Sequence, residues 1–161
     1  MQEQLNSEFS LAEYYDLMCE VLNSGGEFTL YPRGTSMLPL IRQTRDAVVL
    51  VKPPKRLLRR DIPLYRRTNG QFVLHRVITV TDKGNYTMCG DNQFALERDI
   101  THSQIIAVVC AFIRDGKRIN TNSVRYKLYT LLWCIMPLRR LVFKIRSLLY
   151  KVKAKLRRKH G

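Results

Sequence analysis

Short apolar runs separated by clusters of turn residues dominate the middle of the chain. The run over 71–80 is rich in β-branched and aromatic residues, and Asn69-Gly70 and Asp82-Lys83-Gly84 bound it. This composition between turn signals is typical of a β-strand. The same pattern predicts strands at about 27–31, 46–52, 62–66, 71–80, 85–89 and 105–114. We therefore predict a compact, mainly antiparallel β domain over 27–122.

Helical patterns lie on both sides of this domain. Ser10 to Glu13 matches a capping box and predicts a short helix over about 10–22. Its buried side is expected to consist of Leu11, Tyr14, Tyr15, Met18 and Leu22. A second helical region is predicted over most of 124–158. The chain then divides into an N-terminal helix (1–26), the β domain (27–122) and a helical tail (123–161).

The tail is amphipathic after Pro137. Its apolar residues recur at helical spacing and form one stripe, with nearly all the basic residues outside it. The stripe consists of Leu138, Leu141, Val142, Ile145, Leu148, Leu149, Val152 and Leu156. The apolar run over 128–136 contains Tyr and Trp but is well short of the ~20 residues that a membrane-spanning helix needs.

Charge separates the tail from the rest of the chain. The 161 residues have a net charge of +15, and the segment 123–161 contains 12 of the 28 Lys and Arg residues and no acidic residue. A cationic amphipathic helix beside an aromatic apolar run indicates an interfacial anchor on anionic lipid. A groove on a partner protein, nucleic acid and packing on the chain's own domain are the alternatives. Nucleic acid is disfavoured, because no recognition motif accompanies the charge.

The N-terminal sequence has neither the basic and apolar segments of a secretory signal nor a membrane-spanning helix. We therefore expect a cytoplasmic protein, peripheral on the inner membrane face, with its positive tail on the inner leaflet.

Ser36 lies in the run Gly34–Pro39 (Gly-Thr-Ser-Met-Leu-Pro), which suits neither a helix nor a regular strand. Gly34 permits a sharp bend, while Pro39 fixes its own φ and restrains Leu38. The pattern predicts a rigid turn. A nucleophile needs such fixed presentation, but many purely structural turns have it too.

His75 lies within the predicted strand 71–80. Alternation places it on one face with Val73 and Val77, with Phe72, Leu74 and Arg76 on the other. An imidazole in that setting can accept a serine proton near neutral pH. A core histidine hydrogen-bonded to a neighbour is the structural alternative.

Three carboxylates follow along the chain. Asp91 lies in Gly-Asp-Asn (90–92), where its side chain is expected to bond the backbone N–H groups of a turn. Glu97 and Asp99 come shortly after it. Any of the three could orient the imidazole and stabilise its charged form, since such triads are defined by geometry and not by chain order.

Five runs in this order resemble the type I signal peptidase family, which shares its mostly β catalytic fold with the self-cleaving LexA-type repressors. They are Ser36–Pro39 (Ser-Met-Leu-Pro), Asp46–Leu50, Leu74–Ile78, Gly90–Asn92 and Ile105–Val109. The resemblance covers about residues 27–118. His75 stands where the common bacterial enzymes have lysine, as in the endoplasmic-reticulum, archaeal and sporulation-associated branch.

The resemblance implies a role for each candidate residue. Ser36 is the expected nucleophile and His75 the expected general base. That branch has a second aspartate about six residues after Gly-Asp-Asn, and this chain has Glu97 there. We therefore rank Glu97 first as the supporting acid, Asp91 second and Asp99 third.

The expected function is that of a serine endopeptidase of signal-peptidase type that cleaves leader or precursor peptides near a membrane surface. The alternative is a non-catalytic membrane-binding adaptor or scaffold that retains the peptidase fold. No cofactor or metal is expected, because the four cysteines have no paired metal-binding spacing. They are Cys19, Cys89, Cys110 and Cys134. The oligomeric state is left open.

Overall fold

A computed structural model describes residues 14–135, 137, 139–145 and 147–149. It is mainly β, with antiparallel sheets and a few short helices. The described residues fall into two compact units, one ending at Asn122 and the other beginning at Ser123.

Nine strands are described in the first unit. They are β1 (Phe28–Leu30), β2 (Asp46–Val51), β3 (Pro63–Arg66), β4 (Phe72–Leu74), β5 (Arg76–Val80), β6 (Tyr86–Cys89), β7 (Glu97–Ile100), β8 (Ile105–Arg114) and β9 (Lys117–Asn120).

The larger sheet has the order β1-β2-β8-β3-β4, and β9 also pairs with β8. All its pairings are antiparallel. The long strand β8 lies in the middle of this sheet. Nearly all its residues are apolar, so both of its faces can be covered by other parts of the protein. The smaller sheet has the order β5-β6-β7.

The predicted strand 71–80 is wrong in one respect: it is two strands, interrupted at His75. β4 pairs with β3 in the larger sheet, whereas β5 pairs with β6 in the smaller one. After the break, the Val77 N–H donates to the Asp61 carbonyl at 2.8 Å, which anchors the start of β5. His75 therefore lies where the chain passes from one sheet to the other.

An apolar core joins the two sheets. Leu57, Tyr65, Val73, Val77, Tyr86, Met88, Ile100, Ile105 and Val108 form one buried cluster. It contains residues from both β4 and β5, so the two strands that flank His75 are fixed by packing.

Helix α1 (Tyr15–Asn23) buries Met18 and Leu22, as predicted from their spacing. Gly25 follows it with φ of +83°, a left-handed conformation that glycine adopts at low cost. The predicted capping box at 10–13 lies outside the described residues.

The second unit begins with helix α2 (Val124–Trp133), whose first turn is capped by the Ser123 hydroxyl. Helical backbone is found again at 139–145 and 147–149. The helical region predicted over most of 124–158 is interrupted after Trp133. The interruption precedes Pro137, which lacks the N–H that a helix interior requires. Most of the predicted stripe is exposed: Leu141, Val142, Ile145, Leu148 and Leu149. Its other members, Leu138, Val152 and Leu156, lie outside the described residues.

Candidate active site

The loop that contains Ser36 is held by its own hydrogen bonds. Gly34 has φ of +90°, and its N–H donates to the Gln43 side chain at 2.8 Å. After the serine, the Ile41 N–H donates to the Met37 carbonyl at 2.9 Å. Met37 and Ile41 are buried and anchor the loop in the protein. The rigid turn predicted from Gly34–Pro39 is therefore present.

The Gly-Asp-Asn turn lies directly against this loop. The Asn92 N–H donates to the Ser36 carbonyl at 2.7 Å. A Cβ atom placed on Gly90 would lie only 2.7 Å from the same carbonyl oxygen. Residue 90 must therefore be glycine for the two loops to approach as closely as they do.

Asp91 forms a buried ion pair. Arg76 donates to its two carboxylate oxygens, from Nε at 2.7 Å and from a terminal nitrogen at 2.6 Å. The two side chains are 0% and 1% exposed. Arg76 also donates to the Arg60 carbonyl at 3.0 Å. The pair joins the Gly-Asp-Asn turn to the residue that follows His75.

Glu97 is the carboxylate that contacts His75. Its Oε1 lies 3.2 Å from His75 Nδ1. Glu97 opens β7, and Asp99, two residues further on, is exposed with φ of 59°. Of the three carboxylates proposed from the sequence, the structure thus brings Glu97 to the imidazole and places Asp91 on Arg76.

Burial of His75 and hydrogen bonds to Glu97 set the ionisation of this pair. His75 is 3% exposed, and loss of water lowers the pKa of its imidazole, although the nearby Glu97 charge raises it. The hydrogen bonds from Arg67 lower the pKa of Glu97, which favours a carboxylate. A carboxylate beside Nδ1 favours the neutral tautomer that carries its proton on Nδ1. Nε2 is then the nitrogen able to accept a proton.

Two residues of this site were not identified from the sequence: Tyr65 and Arg67. The Tyr65 hydroxyl lies 3.3 Å from His75 Nδ1, and Arg67 Nε donates to Glu97 Oε2 at 2.8 Å. The turn residues Asn69-Gly70 could have indicated both side chains, because they predict a β-hairpin. A hairpin around that turn pairs Tyr65 with Val73, which places Tyr65 on the face that alternation assigns to His75.

Ser36 and His75 line the same open cavity, with a volume of about 230 Å³. Arg67 and Gln93 also line it, and Phe72 and Val73 of β4 contribute apolar surface. The serine and the imidazole therefore border the same space, with the imidazole 3% exposed.

Within the part of the chain that the structure describes, no cluster of three or more His, Cys, Asp or Glu side chains is arranged to hold a metal ion. Searches against protein-family models, curated proteins and solved structures find no significant match to the chain.

Proposed function

We propose that this protein is a serine endopeptidase of signal-peptidase type, with the fold of that family and of the LexA-type peptidases. One arrangement supports this most directly. His75 presents Nδ1 to the Glu97 carboxylate at 3.2 Å and shares a cavity with Ser36. A serine, an imidazole and a carboxylate in that relationship are the parts that acyl transfer requires.

In the proposed reaction, His75 Nε2 accepts the proton of the Ser36 hydroxyl as Oγ attacks the scissile carbonyl carbon. Glu97 stabilises the imidazolium that forms. The imidazolium then donates its proton to the leaving amine as the C–N bond breaks. Water, deprotonated by the same imidazole, attacks the acyl-enzyme and releases the second product with restoration of the serine hydroxyl.

The substrate proposed is a leader or precursor peptide bound in extended form. The resemblance to signal peptidases supports this class. Apolar side chains of β4 line the cavity beside the proposed reacting groups and offer surface for such a peptide.

The test is covalent labelling by a fluorophosphonate, a reagent that phosphonylates activated serines with loss of fluoride, with intact mass as the measurement. We expect a single adduct on the wild-type protein and labelling slowed at least ~10³-fold in Ser36→Ala and in His75→Ala. Ser103→Ala is the matched control, since Ser103 is exposed and adjacent to His102. Equal labelling of wild type and Ser36→Ala would contradict the peptidase. No labelling of a folded wild-type protein would favour the adaptor or scaffold.

We further propose that the second unit binds an anionic membrane surface. Five residues of the apolar stripe are exposed, from 37% for Val142 to 64% for Leu149. The segment 123–161 has 12 basic residues and no acidic residue. Each basic residue near an anionic membrane surface contributes about 1 kcal/mol of binding free energy. Among the described residues, no helix is long and apolar enough to cross a bilayer. Insertion at the interface suits such a surface.

Co-sedimentation with lipid vesicles tests this proposal. We expect the protein to bind vesicles of 3:1 phosphatidylcholine and phosphatidylglycerol, and to bind pure phosphatidylcholine at least ~10-fold more weakly. Leu148→Asp should weaken binding because it charges the exposed stripe. Leu58→Asp is the matched control, since Leu58 is an exposed leucine outside the second unit. Equal binding to both lipids would contradict selectivity for anionic lipid, and no binding to either would contradict a membrane site.

A further inference from the structure

Two side chains outside the Ser36, His75 and Glu97 set converge on the Glu97 carboxylate. Arg67 donates through Nε to Oε2, and one of its terminal nitrogens donates to Oε1. Oε1 is also the atom that contacts His75 Nδ1. The Tyr65 hydroxyl lies 3.3 Å from that nitrogen, and burial together with the nearby Glu97 carboxylate raises the pKa of Tyr65. The four side chains form one connected network.

We propose that Arg67 and Tyr65 are positioning residues for the general base, which hold the Glu97 carboxylate in the orientation that presents Oε1 to His75. This role rests on the proposed function, because it concerns the same site. In this role neither residue touches the reacting atoms.

The need for such residues follows from the nature of glutamate. Glu97 has one more rotatable bond than aspartate and is 24% exposed, so its carboxylate can turn towards water. A guanidinium that donates to both oxygens fixes the plane of the carboxylate as well as its distance. Tyr65 is fully buried, so its hydroxyl is held in place by the core. Arg67 and Tyr65 thus remove the freedom that the longer side chain introduces.

The charges around His75 give this network a measurable signature. Glu97 and Tyr65 contact the imidazole, and the charges of Arg67 and Asp91 also act on its pKa. Burial lowers the pKa of His75, Glu97 and Asp91 raise it, and Arg67 lowers it. Replacing Arg67 by a neutral residue should therefore raise the pKa of His75. Since the base must be neutral to accept a proton, the acid limb of the reaction should move to higher pH.

The experiment measures the rate of fluorophosphonate labelling between pH 5 and 9, together with the His75 pKa by NMR titration. For Arg67→Gln we expect labelling at pH 7.5 slowed ~10–100-fold, an acid limb moved to higher pH and a raised His75 pKa. Arg67→Lys keeps the charge and should restore the pKa, but only part of the rate, since lysine cannot bind both oxygens. Tyr65→Phe, which removes only the hydroxyl, should slow labelling several-fold.

Arg98→Gln is the matched control, because Arg98 is an exposed arginine next to Glu97 in β7 and loses the same charge. It should label like the wild type. An Arg67→Gln protein with the wild-type rate, pH profile and His75 pKa would overturn the positioning role. So would an Arg67→Gln defect that Arg98→Gln reproduces. If Arg67→Gln does not fold, full wild-type behaviour of both Arg67→Lys and Tyr65→Phe overturns it.

A different set of labelling results would show that the proposed function is wrong. These are a wild-type protein that the reagent does not label, or Ser36→Ala labelled as fast as wild type. The NMR titration reports on Arg67 and His75 without any labelling, so the two failures are distinguishable.

Discussion

The backbone N–H of Asn92 donates a 2.7 Å hydrogen bond to the backbone carbonyl of Ser36. This bond joins two motifs that are 56 residues apart in the chain. Asp91, next to Asn92, is paired with Arg76, and Arg76 follows His75. The Gly-Asp-Asn turn therefore links the loop of the proposed nucleophile to the residue that follows the proposed base.

Gly90→Ala should damage the site, because its Cβ would lie 2.7 Å from the Ser36 carbonyl oxygen. The Ser36 loop must shift to relieve that contact, and we expect fluorophosphonate labelling to slow by ~10–100-fold. Gly84→Asn is a suitable control. A Cβ at residue 84 meets nothing within 4 Å, and asparagine tolerates the left-handed φ of +83° found there. Wild-type labelling by a folded Gly90→Ala protein would show that the loops do not need their close approach.

Asp91→Asn should destabilise the fold. It leaves the Arg76 guanidinium buried without its carboxylate, and breaking a buried pair typically costs about 3–5 kcal/mol. Urea denaturation measures the free energy of unfolding. Asp82→Asn removes the same charge at an exposed turn and should change it by less than about 0.5 kcal/mol. A loss below about 1 kcal/mol for Asp91→Asn would contradict a structural role of this pair.

The stability of the protein should fall as the pH is lowered through the His75 transition. The imidazole is buried, and its pKa in the folded state is lowered from the ordinary value of about 6.5. The unfolded chain therefore binds the proton first as the pH falls, so the stabilisation is complete above pH ~6.5 and is lost below it. Denaturation curves at pH 7.5, 6.5 and 5.5 measure the effect. The His75→Gln protein should lack the part of this loss of stability that comes from the imidazole. An identical pH dependence in the wild-type and His75→Gln proteins would contradict the prediction.

Glu97 and Asp99 should differ sharply when each carboxylate becomes an amide. Glu97→Gln removes the charge beside His75 Nδ1, and we expect labelling to slow by ~10²-fold or more. Asp99 is exposed and has φ of 59°, which asparagine also adopts, so Asp99→Asn should label within about twofold of wild type. The opposite order of effects would assign the supporting carboxylate to Asp99.

Local sequence was sufficient for most of the strands. The prediction 105–114 coincides with β8, and 46–52 differs from β2 by one residue, because these runs are apolar and bounded by turn residues. β7 and β9 were not predicted. Their sequences, Glu-Arg-Asp-Ile and Lys-Arg-Ile-Asn, are mostly polar, and pairing with β6 and β8 makes them strands.

Local sequence predicted the turn at Ser36, a single strand that contains His75 and three candidate carboxylates, since each of these depends on neighbouring residues. It did not predict the break of that strand at His75. The contact of Glu97 with the imidazole and the pairing of Asp91 with Arg76 arise from long-range packing of the strands. Those pairings depend on the register of β5, β6 and β7, which includes irregular steps within both pairs. A shift of one residue turns a side chain to the opposite face of a sheet, and local composition does not specify such a shift.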